Sequence, residues 1–486
     1  MSLFILLYKI LVSLEVPDCA YSEIPGVCMH DITLQFDTKS DIPLYEQLYR
    51  FISMDIMCGR LKGGARLPSR RSLSRHLGIS EQTVNTAYEL LKAEGFLRSE
   101  ERRGVFVEAI RPLGEVPSLK PSAVPPPLQE PLFDFSPQST DINLFPFKIW
   151  ARLIRDTLLD EPELMNRGDP RGEASLRSVL SSFLYQYRGV RSTAEGMVIA
   201  SGVDLLLAAI GSLFDKSMRV GCEDPGYPEA YRIFSMAGHQ CIPLAMDEQG
   251  VRTDLVQEQN LDLIYLTPAH QFPTGLSMPA GRRAELLYWA SQRENRYLIE
   301  DDYDSEFRFS SRPLPALQGI DTHDRVIYLS TFSRSLAPGL RIAYMALPKT
   351  LQRRYNQESL RSGESVSRFE QQAMSRLLED GHYSRHLRRA ARVYQTRNRI
   401  LCALLEAIPG AFLFGQDAGL HFLFGIHGRS EHDLIAPAYD AGIPLSGLTG
   451  YCNSVQVPPA LVLGFGGLKD NQLEAAVQAL RSVWQV

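Results

Sequence analysis

Lysine is scarce in this chain. Its 486 residues contain nine lysines, and none lies between Lys216 and Lys349. A buried lysine amine can lose its proton and attack a carbonyl group, whereas an arginine guanidinium stays charged and is a poor nucleophile. The gap therefore excludes a lysine nucleophile from residues 217–348.

The chain also lacks paired cysteine motifs. Its seven cysteines are scattered, odd in number and never form a C-x-x-C pair. This distribution favours reduced thiols in a cytoplasmic protein over a disulfide framework or a zinc site. We predict no metal site.

The N-terminal apolar patch is too short to cross a membrane. It runs from Leu3 to Leu14, is broken by Lys9, and has no basic segment before it as a signal peptide would. We therefore predict no membrane association and interpret residues 1–28 as an extension upstream of a start at Met29. Residues 1–40 are expected to be poorly ordered.

Length and charge indicate more than one domain. A chain of 486 residues normally divides into two or more domains, and 44% apolar with 22% charged residues is typical of globular proteins. Residues 41–107 contain eleven Lys and Arg against eight Asp and Glu, although the whole chain has a net charge of -5. A modestly basic module is thus joined to an acidic body.

Residues 41–107 have the pattern of a helix-turn-helix. Apolar residues at four-residue steps from Leu44 to Ile56 predict one amphipathic helix. Ser69 and Ser80 are suitable N-caps for two further short helices that are separated by a turn at Gly78. A basic hairpin tip, E-E-R-R-G, follows.

The polar side of the last helix is suited to reading base edges in a major groove, and the arginines are suited to neutralising phosphates. A small helical bundle with a solvated basic face is the simpler alternative, but the combination of capped helices and basic wing favours double-stranded DNA. The candidate DNA-binding residues are Arg70, Arg71, Arg75, Ser80, Gln82, Thr83, Asn85, Thr86, Arg102, Arg103 and Gly104.

The motifs in this module resemble the winged helix of GntR-type bacterial regulators. They read P-L-Y-E-Q-L-Y, L-P-S-R-R-S-L-S-R-H-L-G-I-S, T-V-N-T-A-Y-E-L-L-K-A-E-G-F-L and R-G-V-F-V. Glu81 departs from the pattern, because relatives commonly have a basic residue there. The resemblance implies a regulator that binds DNA half-sites.

Seven prolines separate this module from the rest of the chain. They lie between Glu108 and Phe135, a density that neither a helix nor a central strand tolerates. We predict a linker at 108–135 and an independent domain at 136–486.

The second domain is predicted to be α/β, with a smaller α+β subdomain at its C-terminus. Apolar strands alternate with amphipathic helices, which indicates a mostly parallel sheet. The candidate strands are Met197–Ala200, Met218–Cys222, Leu263–Leu266, Tyr297–Glu300, Val326–Leu329 and Ile342–Leu347.

Polar loops follow several of these strands and should meet at one edge of the sheet. They are S-G-V at 201–203, E-D-P-G-Y-P ending at 228, T-P-A-H-Q-F-P-T-G at 267–275, the acidic I-E-D-D-Y-D at 299–304, and S-T-F-S-R-S-L-A-P-G-L-R at 330–341. A glycine at a helix start lets a phosphate approach free backbone amides.

This ordered set of loops is similar to the fold type I aminotransferases and, together with the winged helix, to the MocR subfamily of GntR regulators. The resemblance implies that Asp301 pairs with the pyridine nitrogen of pyridoxal phosphate, Tyr303 with its ring oxygen, and that Tyr227 stacks on the ring. Backbone amides and Arg341 would hold the phosphate. The implied cofactor-binding residues are Gly202, Val203, Tyr227, Asp301, Tyr303, Ser333 and Arg341.

Arg334 departs from the family pattern, which reads T-F-S-K-x-L-x-P with a lysine that forms a Schiff base with the cofactor. The resemblance therefore implies that any pyridoxal phosphate binds non-covalently. We hypothesise that Arg334 pairs with Asp301 or holds an anionic ligand. A second departure is Leu461–Gly464, where many aminotransferases carry the arginine that binds the substrate carboxylate.

Three interpretations remain open at this stage. The leading one is a homodimeric transcription regulator whose aminotransferase-like domain senses a small molecule related to vitamin B6 or amino acids. The alternatives are an active aminotransferase with an accessory DNA-binding module, which Arg334 disfavours, and a decayed relative without function.

Overall fold

The structure of this protein is a computed structural model. It describes residues 32, 34, 36–37, 40, 42–101, 103–110, 131–214, 218–309, 315–359 and 365–486. These residues form two compact units, with the division after residue 127. Most of the predicted linker, residues 111–130, lies outside the described residues.

The described part of the first unit contains three helices followed by a two-stranded hairpin. Strands β1 and β2 pair antiparallel, with Leu97 opposite Val107 and Glu100 opposite Gly104. The elements are α1 (Leu44–Met57), α2 (Arg70–Leu77), α3 (Glu81–Ala93), β1 (Leu97–Glu100) and β2 (Gly104–Val107).

The predicted apolar face of α1 is confirmed. Leu48, Ile52 and Ile56 are buried in one core with Val84, Ala87 and Leu91 of α3. Residues before the predicted domain start join the same core, because Ile32 is buried there and Leu34 and Phe36 pack against it. Packing of this unit therefore begins earlier than residue 41.

The second unit is a layered α/β assembly. Its α-helices are α4 (Phe147–Asp160), α5 (Ala174–Arg188), α6 (Val203–Ser212), α7 (Pro228–Met236), α8 (Thr253–Glu258), α9 (Ala280–Ser291), α10 (Leu317–Ile320), α11 (Lys349–Ser359), α12 (Arg368–Glu379), α13 (His382–Glu406), α14 (Glu431–Asp440) and α15 (Leu473–Trp484). Short 3₁₀ turns lie at Ile142–Leu144, Pro162–Met165, Ala194–Gly196, Pro338–Leu340, Leu448–Tyr451 and Asp470–Gln472.

Eight strands form the large sheet in the order β3-β10-β9-β8-β7-β4-β5-β6. The central strands β9, β8, β7, β4 and β5 run parallel, whereas β10 is antiparallel to both of its neighbours. The strands are β3 (Met197–Ala200), β4 (Arg219–Asp224), β5 (Gln240–Asp247), β6 (Gly250–Val251), β7 (Leu263–Leu266), β8 (Tyr297–Asp301), β9 (Val326–Thr331) and β10 (Ala343–Ala346).

A second sheet of four strands lies in the C-terminal part, in the order β11-β12-β14-β13. It comprises β11 (Ala411–Phe414), β12 (His421–Ile426), β13 (Ser446–Gly447) and β14 (Leu461–Gly464). Its core includes Phe135 and Phe307. The backbone amide of Leu132 donates to Gly442, so packing of this unit begins before residue 136.

All six predicted strands are present, with ends shifted by at most two residues. Strand β5 was not predicted, because its segment Q-C-I-P-L-A-M-D contains a proline and is only partly buried. Such a strand lies towards the sheet edge, where the apolar signal is weak. Among the described residues, no helix has both the length and the apolar character needed to cross a membrane.

Candidate functional sites

The predicted helix-turn-helix is present in the first unit, and both serine caps are confirmed. The amide of Ser72 donates to Ser69 Oγ at 3.2 Å, and the amide of Thr83 donates to Ser80 Oγ at 3.0 Å. Gly78 adopts a left-handed φ of 68° between the two helices, a conformation that glycine adopts without strain. These residues therefore determine the turn between α2 and α3.

One side of α3 carries the polar residues that were predicted to read DNA. Gln82 is exposed, while Thr83, Asn85 and Thr86 are partly buried. Oδ1 of Asn85 is covered and has no hydrogen-bond partner among the described residues. Gln82 is thus the most accessible amide on this face.

The arginines of α2 are exposed next to carboxylates of α3. Nη2 of Arg70 lies 2.7 Å from Glu89, and Nε of Arg71 lies 3.9 Å from Glu81. Exposed ion pairs of this kind contribute roughly 0–1 kcal/mol, so a phosphate could replace either carboxylate as partner. Arg75 is exposed and forms no ion pair with another described residue.

The wing presents Arg103 to solvent at its tip, beside Glu100. Gly104 has a φ of 123°, and an added Cβ would lie 3.0 Å from Nε of Arg66. Arg66 forms an antiparallel β-bridge with Phe106 of β2, so a third short segment joins the hairpin. This exposed arginine was missed in the sequence, although its position between the inward-facing Ala65 and Leu67 indicates a strand. Arg102 lies outside the described residues.

The second candidate site is at one edge of the large sheet. Because β4, β7, β8 and β9 are parallel, the loops that follow them emerge on the same side. Strand β3 ends at this edge as well, since Ala200 and Thr331 both pair with Ala343. The predicted loops are thus brought together.

Most carboxylates in the acidic loop have dedicated partners. Glu300 accepts the amides of α10 at 2.7 and 2.8 Å, Asp302 forms a buried ion pair with Arg188 at 2.8 Å, and Asp304 lies 3.0 Å from Nδ1 of His270. These partners offset the cost of burying the charges. The acidic cluster is therefore largely structural.

Asp301 differs from these carboxylates, because only one of its two oxygens has a hydrogen-bond partner among the described residues. Its Oδ2 accepts the hydroxyl of Tyr265 at 2.5 Å, but its Oδ1 is buried without a hydrogen-bond partner in the described part of the chain. Burial raises the pKa of Asp301 to about 7, and the Tyr265 hydroxyl opposes this shift. The carboxyl group is suited to a ligand that brings a proton or a positive charge to Oδ1.

Aromatic rings surround this carboxyl group. Tyr227 stacks against Tyr265 at a centroid distance of 6.4 Å and meets Phe272 edge-on at 6.0 Å. Phe272 in turn packs edge-on against Tyr303 at 6.1 Å. This wall of rings could hold a flat heterocycle next to Asp301.

Gly202 and Arg341 meet at the start of α6. Gly202 has a φ of 113°, and an added Cβ would lie 2.4 Å from Nη2 of Arg341. Nη2 is 3.7 Å from Asp204 and 3.4 Å from the carbonyl of Ser201. The free amides that begin with Val203, together with this guanidinium, form an arrangement that suits a phosphate.

Arg334 is buried at the same edge, with 8% of its surface exposed. Its Nε and Nη1 have no hydrogen-bond partner among the residues that the structure describes. It forms no ion pair with Asp301, so that part of our hypothesis is wrong. Ser333, next to it, accepts a hydrogen bond from Thr331 and is half-buried.

Two buried histidines complete this site. Nδ1 of His270 lies 3.1 Å from the hydroxyl of Tyr303, and the rings of His270 and His421 are 4.8 Å apart. Burial lowers the pKa of His421 well below its usual value, and the nearby His270 and Arg334 lower it further. His421 is therefore neutral at physiological pH.

Tyr265, His270 and His421 were not predicted as site residues. Each is a polar residue in or beside an apolar run, which was the available signal.

Leu461, Val462 and Leu463 are completely buried in β14, in keeping with the absence of an arginine there. Helix α13 buries one of its arginines, Arg397, which pairs with Asp141 at 2.7 Å.

Comparisons with known proteins agree with this two-part architecture. Residues 44–107 match the model of the gntR family of bacterial regulatory proteins, and residues 138–480 match that of the class I and II aminotransferases. The chain is 30% identical to the probable rhizopine catabolism regulatory protein MocR of Rhizobium meliloti, over 93% of this chain and 96% of that one. It is 31% identical to the pyridoxine biosynthesis regulator PdxR of Corynebacterium glutamicum, over 91% and 96% of the two chains.

The fold of the second unit is that of the aminotransferases. The crystal structure of LysN from Thermus thermophilus, an α-aminoadipate aminotransferase complexed with N-(5'-phosphopyridoxyl)-L-leucine, matches 72% of this chain and 91% of its own. The two are 25% identical, with a TM-score of 0.64.

Fold and sites together define a transcription regulator with a winged helix and an aminotransferase-like domain. The chain belongs to the GntR-type regulators of the MocR subfamily.

Proposed function

We propose that this regulator binds DNA through α3 and the wing, and that a pyridoxal-phosphate-type ligand in the second unit controls DNA binding. The observation that carries the proposal is a concentration, at one edge of the large sheet, of buried polar atoms that have no hydrogen-bond partner in the part of the chain that the structure describes. They belong to Asp301, Arg334, His270 and His421. Buried polar groups in native proteins almost always have partners, so such a cluster indicates a ligand site.

In the first unit, we assign base reading to the polar side of α3 and phosphate contacts to the arginines. Gln82, Thr83, Asn85 and Thr86 face the groove, with Ser80 at the start of the helix. The phosphate contacts come from Arg70, Arg71, Arg75, Arg102 and Arg103. When bound to DNA, the protein is associated with the bacterial nucleoid.

The second unit fits the groups of pyridoxal phosphate. Asp301 offers an unpartnered oxygen for a protonated ring nitrogen, Tyr303 a hydroxyl for the ring oxygen, and Tyr227 an aromatic face. Because Gly202 has no Cβ, Arg341 can lie against the start of α6, and its guanidinium beside the free amides there suits the phosphate. The residues present are therefore compatible with the cofactor.

Arg334 takes the place of the family's lysine in this proposal. On an enzyme lysine, pyridoxal phosphate supplies an electron sink for amino-acid chemistry. A guanidinium does not form the required covalent bond, and no lysine lies between Lys216 and Lys349. We therefore assign the second unit to sensing and not to transamination.

A homodimer accounts for the exposed apolar surface at the start of this unit. Helices α4 and α5 and the segment between them carry large apolar side chains in solvent, and surfaces of this kind usually bind another protein. They are Phe147, Leu158, Leu159, Met165, Tyr185 and Tyr187. A dimer would present two winged helices to paired half-sites.

A gel-shift assay on the protein's own promoter region, with and without pyridoxal phosphate, tests this proposal. We expect specific DNA binding whose affinity changes when the ligand is added. Absence of specific binding would favour a decayed relative. Transamination of any amino acid by the native protein would contradict the assignment to sensing.

A further inference from the structure

Arg334 is a charged residue of this pocket that has no role in the proposed contacts to the cofactor. Its guanidinium is almost completely buried, and the described residues supply no carboxylate partner. An unpaired buried charge is costly, whereas an anion brought by a ligand would offset that cost. The pocket therefore favours a negatively charged group next to Arg334.

The backbone around Arg334 is held in place on both sides. Before it, the amide of Ser333 donates to Thr331 Oγ1 at 3.1 Å. After it, Ser335 accepts the hydroxyl of Tyr383 at 2.8 Å, and its carbonyl lies 2.7 Å from Nε2 of His386. These contacts hold the chain on both sides of Arg334, and the burial of its side chain limits the positions that the guanidinium can adopt.

The neighbours of Arg334 favour an anion over a second cation. Burial raises the pKa of Tyr303 and lowers that of His421, and the nearby Arg334 opposes the first shift and adds to the second. His270, Asp304 and His421 have the composition of a metal site. The fixed positive charge of Arg334 beside them opposes a metal ion there.

A guanidinium distinguishes strongly between chemical groups. Two of its parallel N-H groups match the two oxygens of a carboxylate, whereas an aldehyde offers a single weak acceptor. Asp301, Arg341 and the amides of α6 already account for a ring nitrogen and a phosphate. What remains for Arg334 is the substituent that in pyridoxal phosphate is the aldehyde.

We propose that Arg334 binds a carboxylate, and that the ligand of this pocket is a phosphorylated pyridine whose C4 substituent carries that carboxylate. This inference rests on the proposed binding of a pyridoxal-phosphate-type ligand. Two kinds of molecule share the chemistry. One is a phosphopyridoxyl amino acid, whose carboxylate comes from the amino acid, and the other is a vitamer in which the aldehyde is oxidised to a carboxylate.

Isothermal titration of the full chain with three compounds tests the inference. They are N-(5'-phosphopyridoxyl)-L-leucine, 4-pyridoxic acid 5'-phosphate and pyridoxine 5'-phosphate, which has a neutral hydroxymethyl group at C4. Charge-assisted hydrogen bonds predict that at least one carboxylated compound binds roughly tenfold or more tightly than pyridoxine 5'-phosphate. Whichever carboxylated compound binds more tightly identifies the source.

Two variants separate the roles of the two arginines. Arg334→Met should remove the preference for a carboxylate and leave the affinity for pyridoxine 5'-phosphate within about threefold, because that compound has no carboxylate for Arg334 to bind. Arg341→Met should weaken all three phosphorylated compounds to a similar degree. Arg334→Lys, which keeps the charge but not the planar pair of donors, should retain a smaller preference.

The outcomes distinguish this inference from the proposed function. Equal affinity of the native protein for all three compounds would overturn the carboxylate assignment and leave the cofactor-type pocket in place. Failure of all three to bind would overturn both. Because the comparison among compounds is made on the native protein, it does not depend on the folding of any variant.

Discussion

The hydroxyl of Tyr265 donates a 2.5 Å hydrogen bond to Oδ2 of Asp301 across neighbouring parallel strands. This bond holds the carboxyl group at the end of β8 through Oδ2, while its Oδ1 is buried without a partner among the described residues. Asp301 is thus positioned by the protein on one oxygen only. The second oxygen is the natural contact for a ligand.

Replacing Asp301 by Asn should stabilise the ligand-free protein at high pH. The folded pKa of Asp301 is about 7, above the ordinary value of 3.8, so the folded state binds more protons between these values. Stability is therefore lost as the pH rises from about 4 to 7. Asp301→Asn should be more stable than the native protein at pH 8, on the order of a few kcal/mol, and nearly equal to it below pH 4.

Thermal unfolding at a series of pH values measures this difference. The exposed Glu248→Gln in the turn between β5 and β6 is the control, and it should leave the melting temperature unchanged. The same Asp301→Asn variant should lose affinity for the phosphorylated pyridines. A variant that is less stable than the native protein at pH 8 would show that Asp301 is stabilised in the folded state by a partner.

Replacing Gly202 by Ala should disrupt the phosphate site. The added Cβ would meet Nη2 of Arg341 at 2.4 Å, and the φ of 113° is strained for any residue with a side chain. We expect at least a tenfold loss of affinity for pyridoxine 5'-phosphate and a destabilisation of roughly 1–3 kcal/mol.

Gly281→Ala is the matched control for this change. Gly281 lies in α9, and an added Cβ there meets nothing within 4 Å. Alanine should stabilise that helix by roughly 0.5–1 kcal/mol and leave ligand binding unaltered. Unchanged binding by Gly202→Ala would place the phosphate elsewhere.

Two substitutions in the first unit should affect DNA binding in different ways. Arg75→Ala removes a proposed phosphate contact, so it should weaken binding to all sequences and reduce the salt slope by about 1. Gln82→Ala removes a proposed base contact, so it should relax specificity at a cost of roughly 1–3 kcal/mol. Fluorescence anisotropy at several salt concentrations separates the two effects.

Arg50 provides the control for this measurement. It lies on α1 and pairs with Glu46 on the same helix. Arg50→Ala should leave DNA affinity and its salt dependence unchanged. An equal loss in Arg50→Ala and Arg75→Ala would mean that α2 has no special role.

Removing the cap of α3 should loosen that helix. Ser80→Ala deletes the acceptor for the amide of Thr83, a change worth about 1 kcal/mol. Hydrogen exchange of residues 81–93 in the full chain should become faster. Ser72→Ala, in exposed helix without a capping bond from its side chain, should leave the exchange of α2 nearly unchanged, and faster exchange in this control would point to a general loss of stability.

The sequence predicted the backbone frame of both sites better than their side-chain partners. Apolar runs such as Leu263–Leu266 and Val326–Leu329 define buried strands, and parallel strands bring their following loops to one edge. The partners come from distant positions. Tyr265 reaches Asp301 only because β7 and β8 pair in one register, and His421 arrives from the second sheet. Local sequence patterns do not specify which residues of distant segments come into contact.

The expected ion pair between Arg334 and Asp301 likewise depended on a contact between distant segments. The sequence indicates that a cation replaces a lysine and that Asp301 is close in the fold, from which an ion pair seemed natural. In the structure Asp301 takes Tyr265 as its partner, and Arg334 remains unpaired within the described residues. The distance between two groups at one sheet edge depends on loop paths that composition and periodicity do not specify.

We propose that Arg334 makes the cofactor-type pocket a non-covalent site. The most direct test is to mix the native protein and Arg334→Lys separately with pyridoxal phosphate, reduce with borohydride, and determine the mass of the peptide that contains residue 334. We expect an unmodified peptide from the native protein and a phosphopyridoxyl adduct on the new lysine of the variant. A covalent adduct on that peptide in the native protein would show that the native site is covalent.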